Sequence, residues 1–175
     1  MVEISLNDDL KTVWWPLPTD DDAESWRLRA QAWEHPNVMI GGSDAGAHLD
    51  RMAGAPYTTA WLADCLRGRQ LTSMENAIRH LTDVPARLFG FTGRGRIAEG
   101  WHADIVVFDP ETVGATDVEL VFDLPGGSKR LWSEATGISR VLVNGVVSVA
   151  DGTATGAIAG KVMRAGVDTE TVTAS

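Results

Sequence analysis

The chain has 175 residues, 44% of them hydrophobic and 22% charged, which suits one domain, or a small domain with part of another, and excludes a disordered chain. Fifteen Lys and Arg against 24 Asp and Glu leave a net charge of -9, which argues against nucleic acid as a partner, because phosphate neutralisation needs clustered cations. A single cysteine, Cys65, excludes an internal disulfide and a Cys-rich zinc site, and no apolar run approaches the length of a membrane span.

The N-terminus carries no basic stretch and no long apolar one, so a cytoplasmic protein without a leader is expected. Val2 to Leu6 alternates apolar and polar residues and predicts a short strand. A Trp- and Pro-rich connection follows, Trp14-Trp15-Pro16-Leu17-Pro18. The acidic run Asp20-Asp21-Asp22 then opens a helix over 23–34, since carboxylates suit the positive end of the helix dipole. His35-Pro36-Asn37 stops it. Val38-Met39-Ile40 reads as a buried parallel strand that emerges into a polar loop at Gly41-Gly42-Ser43-Asp44, which completes one αβ unit.

A helix is predicted over 58–66, with Cys65 beside Trp61 and Leu62 as a small core residue rather than a nucleophile. Thr72-Ser73-Met74-Glu75 has capping-box spacing before a helix whose apolar face is Met74, Ala77, Ile78 and Leu81, with His80 on the solvent side. Pro85 opens a further helical turn that Gly90 closes. Near Gly93 the character changes. Glu99-Gly100 marks a turn, Ile105-Val106-Val107-Phe108 a strong strand, and Val141 to Val149 a hairpin about Asn144-Gly145. Asp151-Gly152 is another turn, and the last dozen residues read as frayed. The expected fold class is α/β followed by β, divided into residues 1–92 and 93–175.

The sharpest chemical feature is Gly41-Gly42-Ser43-Asp44-Ala45-Gly46-Ala47-His48. A carboxylate at the C-terminal end of a buried parallel strand stands where barrel enzymes place catalytic groups, and the glycines allow close approach. Read from these residues alone, the favoured role of Asp44 is as a cap of the following turn, with the glycines only shaping the loop. His35, His80 and His102 read as structural or surface residues, and neither His-x-His nor His-Glu-x-x-His occurs, so local spacing builds no metal site. Ser43, Asp44 and His48 lie too close in sequence for a serine triad and lack its Gly-x-Ser-x-Gly elbow. Gly93-Arg94-Gly95-Arg96 lacks the dinucleotide fingerprint.

Taken together, VMIGGSDAGAHLD (38–50), the segment from Leu71 ending in LTDVPARLFG at Gly90, GRGRIAEGWHADIVVFDP (93–110) and VLVNGVVSVADGTATG (141–156) resemble the amidohydrolase superfamily. The Ser-Asp-Ala-Gly-Ala-His form resembles its N-acyl-D-amino-acid deacylase branch. The resemblance implies the last strand and helices of a metal-dependent hydrolase TIM barrel, leading into a small β-sandwich. It also implies zinc-dependent hydrolysis of non-peptide amides, with an N-acyl-D-amino acid as the small-molecule substrate. Asp44 matches the Asp that takes the water proton and passes it to the departing amine, and it is a metal-ligand candidate. Ser43, Gly46 and His48 line the same loop as candidate substrate contacts.

A complete barrel of this kind takes about 250 residues, yet only 44 residues run up to and including Asp44. The metal ligands of the earlier strands have no match. The expectation is therefore a part of an amidohydrolase that is inactive alone and that associates with itself or with a complementing chain. Two alternatives stand beside it: a non-catalytic β-rich interaction module, and a cyclic-amide hydrolase of the same superfamily.

Overall fold

The structure, a computed structural model, describes residues 1–10, 12, 19–170 and 172. The Trp14-Trp15-Pro16-Leu17-Pro18 connection lies outside them.

The chain begins with a helix, α1 (Val2–Asn7), where alternation predicted a strand. The reason lies in its backbone: Ser5 N–H donates to Met1 C=O and Asp8 N–H to Ile4 C=O. A lone strand would leave those groups without a partner, whereas a helix satisfies them locally. α2 (Ala23–Trp33) forms as expected, and its cap is Asp22, whose carboxylate accepts from Ser25 N–H at 3.0 Å. Trp26 lies beneath the Arg69 guanidinium, 3.8 Å from the ring centre, and its indole donates to Asp21. Trp33 meets Trp61 edge-on at 5.7 Å. Aromatic contacts thus hold α2 to α3 (Tyr57–Leu66).

Val38-Met39-Ile40 forms no strand. It is half-buried, but a parallel strand needs a neighbour to complete its ladder, and among the described residues no strand precedes Ile105. α4 (Met74–Leu81) is capped by Ser73, one residue later than the capping-box spacing places the cap, with Ser73 Oγ accepting from Asn76 N–H. α5 (Asp83–Leu88) ends at Gly90, which stands at φ +68°.

His80 is a further departure. It lies 2% exposed under Trp61, with ring centres 6.2 Å apart, and neither ring nitrogen has a hydrogen-bond partner among the described residues. His80 follows Ala77 by three residues, so the helical repeat turns it only about 60° from that fully buried position. The inward stripe of α4 is wide enough to include it.

All described strands come after Gly93. β1 (Ile105–Phe108), β6 (Ile138–Val143), β7 (Val146–Ala150) and β8 (Thr153–Ala154) form one antiparallel sheet in the order β1-β6-β7-β8. The β6–β7 turn is Asn144-Gly145, with φ of 49° and 82°, as the two-residue turn of a hairpin demands. Asp151-Gly152 repeats the pattern before β8. β2 (Gly114–Ala115) pairs β5 (Ala135–Thr136), and β3 (Glu119–Leu124) pairs β4 (Ser128–Trp132) as a separate hairpin.

The core is small. Leu62 and Cys65 of α3, Ala77 of α4 and Val113 are buried together, flanked by Trp61, Ile78, Leu81, Phe108 and Ile138. Burial, aided by the neighbouring Asp64 charge, pushes the Cys65 thiol up to about 11, so it stays protonated and serves as a core residue. Arg67 donates to the carbonyls of Pro110 and Val113, which ties α3 to the strands. The three arginines nearest to a basic cluster are all paired: Arg87 and Arg96 with Asp83, and Arg94 with Asp104. Of the last dozen residues, Thr169 and Glu170 are docked rather than frayed. Thr169 bridges to Phe91, and Glu170 N–H donates to Gly90 C=O at 2.9 Å. No helix of the described residues is long and apolar enough to cross a membrane.

Candidate active site

The apolar segment 38–40 delivers the chain to a compact loop, residues 43–54. Its neck is tight: a Cβ on Gly54 would stand 2.7 Å from Ser43 O, so only glycine lets the two strands of the loop close. Ser43 is half-buried, and its Oγ accepts from Ala45 N–H at 3.1 Å. Ala47 N–H donates to Asp44 C=O at 3.0 Å, which closes a first turn. Arg51 and Met52 N–H both donate to His48 C=O, at 2.8 and 3.0 Å, which closes a second.

Asp44 and His48 both adopt the left-handed region, at φ 55° and 48°, and Gly46 between them stands at φ 96°. Asp and His tolerate this region better than most residues, but each still carries a cost of about 1–2 kcal/mol. Strain of this kind is held only where surrounding contacts determine it, and it collects at functional loops. Asp44, Gly46 and His48 are all exposed, so the loop presents a carboxylate and an imidazole to solvent. Chemically, the carboxylate can accept a proton, the imidazole can donate or accept one, and Ser43 Oγ keeps its own proton to donate.

Three further residues shape the loop without having been visible as candidates: Gly54 at the neck, Leu49, and Leu131 of β4, whose N–H donates to Leu49 C=O at 2.7 Å. Gly54 sits in a run of small residues before Pro56, which was a weak signal, and the Leu131 contact had none. The other histidines stay apart from the loop chemistry. His35 Nδ1 accepts from Asn37 N–H at the end of α2, and His102 is exposed in its turn.

Among the described residues no three His, Cys, Asp or Glu side chains gather so as to hold a metal ion. Asp44 therefore lacks the company that a tetrahedral zinc site requires. The residues present do not fit such an ion.

The glycine-flanked loop with its exposed carboxylate is thus set before three helices and an antiparallel β module. Comparison with known proteins agrees on the family: residues 21–149 match the Amidohydrolase family, and the chain belongs to it. It is similar to the N-acyl-D-glutamate deacylase of Alcaligenes xylosoxydans xylosoxydans, 35% identical over 115 residues, 65% of this chain and 22% of that protein. It is also similar to the N-acyl-D-aspartate deacylase of the same organism, 38% identical over 127 residues, 71% of this chain and 23% of that protein. The chain thus spans about a quarter of the length of the relatives it matches. The crystal structure of the Bordetella bronchiseptica N-acyl-D-glutamate deacylase, complexed with zinc and a phosphonate inhibitor, is 31% identical with a TM-score of 0.47, covering 75% of this chain and 26% of that one.

Proposed function

We propose that the chain forms the Asp44-bearing part of an amidohydrolase that cleaves the amide C–N bond of N-acyl-D-amino acids. The observation that carries this reading is the placement of Asp44: exposed, in a left-handed turn, after an apolar segment and between glycines, in a chain of the amidohydrolase family. Residues 1–92 would be the end of a TIM barrel and residues 93–175 its β-sandwich.

In the reaction, the Asp44 carboxylate takes a proton from the attacking water as the water oxygen bonds to the amide carbon. It then gives that proton to the amine nitrogen as the C–N bond breaks, which regenerates the carboxylate and leaves a carboxylic acid and a free amine. In this reading Ser43 Oγ–H and the His48 imidazole hydrogen-bond the substrate, and Gly46 leaves room for it. Zinc, present in the Bordetella relative's structure, belongs to the proposal only in an assembly with ligands from a longer or complementing chain. The isolated chain is expected to be inactive.

The test is a chimera in which residues 21–149 replace the matching segment of the Alcaligenes N-acyl-D-glutamate deacylase. Zinc-dependent release of D-glutamate is expected, and Asp44→Ala should lower kcat by at least about a hundredfold, as loss of a general base does. An Asp44→Ala chimera as active as its parent would overturn the assignment. Hydrolysis of a cyclic amide but not of N-acyl-D-glutamate would move the substrate class. A folded, inactive chimera would favour the non-catalytic module.

A further inference from the structure

The β3–β4 hairpin has no place in the four-stranded sheet; among the described residues it pairs only with itself. A two-stranded hairpin is marginal in water unless it is packed or anchored, and this one leaves Leu120 and Phe122 exposed. It is nevertheless built stiffly. Arg130 forks onto the Asp123 carboxylate at 2.7 and 2.5 Å and stacks over Trp132 at 4.0 Å. At its base Ser133 is buried, with Oγ donating to Thr116 C=O, and Glu134 N–H donates to Thr116 Oγ1. The base continues into β2, where Gly114 packs against Ala63 of α3.

The far side of this frame meets the Asp44 loop. Leu131 faces Leu120 across the hairpin, but its N–H is committed outward to Leu49 C=O at 2.7 Å. In an antiparallel pair alternate residues leave their N–H groups free of the ladder, so Leu131 gives its bond to the loop at no loss to the hairpin. The loop needs such a hold. Of residues 44–51 only Leu49 is even half-buried, and two non-glycine residues must be kept in the left-handed region. Side-chain packing cannot supply the order, and fixing each backbone residue costs about 1–2 kcal/mol.

We infer that the β3–β4 hairpin positions the proposed catalytic loop, with the Leu131 N–H on the Leu49 carbonyl fixing its tip while the Ser43–Gly54 contact fixes its neck. Leu131 is then a positioning residue, and the strand module is a working part of the site. The inference rests on the reading of Asp44 given above, but its test reports loop order and is independent of turnover.

The test is amide hydrogen exchange in the full chain, comparing Leu131→Pro with Leu131→Ala. Proline removes the N–H at a position where the hairpin ladder does not use it, and such sites on edge strands accept proline. Exchange at Ala47, Arg51 and Met52 should rise roughly fivefold in Leu131→Pro, the effect of losing one ordinary hydrogen bond. Leu131→Ala, which keeps the N–H, should leave these amides as they were, and amides of α3 and of β6–β7 should not change in either variant. Unchanged loop amides in Leu131→Pro, equal acceleration everywhere, or the same effect from both variants would each overturn the inference. Should Leu131→Pro not fold, the through-bond coupling between Leu131 nitrogen and Leu49 carbonyl carbon in the unaltered chain decides: its presence supports the contact and its absence refutes it.

Discussion

His80 offers the sharpest quantitative test of the packing, through the substitution His80→Leu. The imidazole is 2% exposed, and both ring nitrogens lack partners among the described residues. A neutral ring carries one donor and one acceptor, each costing about 1–3 kcal/mol when buried unpaired. Removing both relieves about 2 kcal/mol at the low end, against about 1 kcal/mol for the lost edge contact with Trp61. The variant should therefore be about 1 kcal/mol or more stabler at pH 7.5. Acid widens the gap. Burial first, with the Arg79 charge adding and Glu34 opposing, holds the folded imidazole below its ordinary value. The unfolded chain then binds a proton near pH 6.5 that the folded chain refuses, so stability is present above that pH and is lost as pH falls toward the depressed folded value. By pH 5.5 this costs the parent up to about 1.4 kcal/mol, and His80→Leu should not show the loss. Urea denaturation followed by far-ultraviolet circular dichroism at pH 7.5 and 5.5 measures both effects. A variant less stable than the parent at pH 7.5, with the same acid dependence, would refute the burial of an unpaired imidazole.

Two further outcomes follow from helix ends. Ser73→Ala removes the side chain that accepts from Asn76 N–H and should cost about 1 kcal/mol in the same denaturation assay, while Thr72→Ala should not mimic it as a lost cap. Gly90→Ala places a methyl 2.1 Å from Glu170 O at φ +68°, so it should expel the C-terminal stretch. Limited proteolysis should then cut within residues 161–170 well before it cuts the parent, and equal cleavage rates would contradict the docking.

The elements legible in the sequence are those whose hydrogen bonds close locally. Asp22 and the acidic run announced α2, and the Asn144-Gly145 turn announced the β6–β7 hairpin, because a cap or a positive φ is a property of neighbouring residues. The Asp44 loop was legible as a glycine-flanked carboxylate, though not the left-handed turns that Asp44 and His48 adopt. Val2 to Leu6 misled because alternation suits a strand but supplies no partner. Val38-Met39-Ile40 misled in the same way, and its apolar character matches half-burial without a ladder.

By itself, then, the sequence determined where helices begin, where hairpins turn, which family the motifs resemble and which carboxylate to examine. Each of those rests on residues a few positions apart. Tertiary structure alone decided that His80 lies inside, that the C-terminal stretch docks on Gly90, and that Leu131 reaches across 82 positions to hold the tip of the Asp44 loop. Those outcomes depend on which surfaces meet after folding, and a backbone N–H is the same in every residue but proline, so no pattern of side chains could announce its partner.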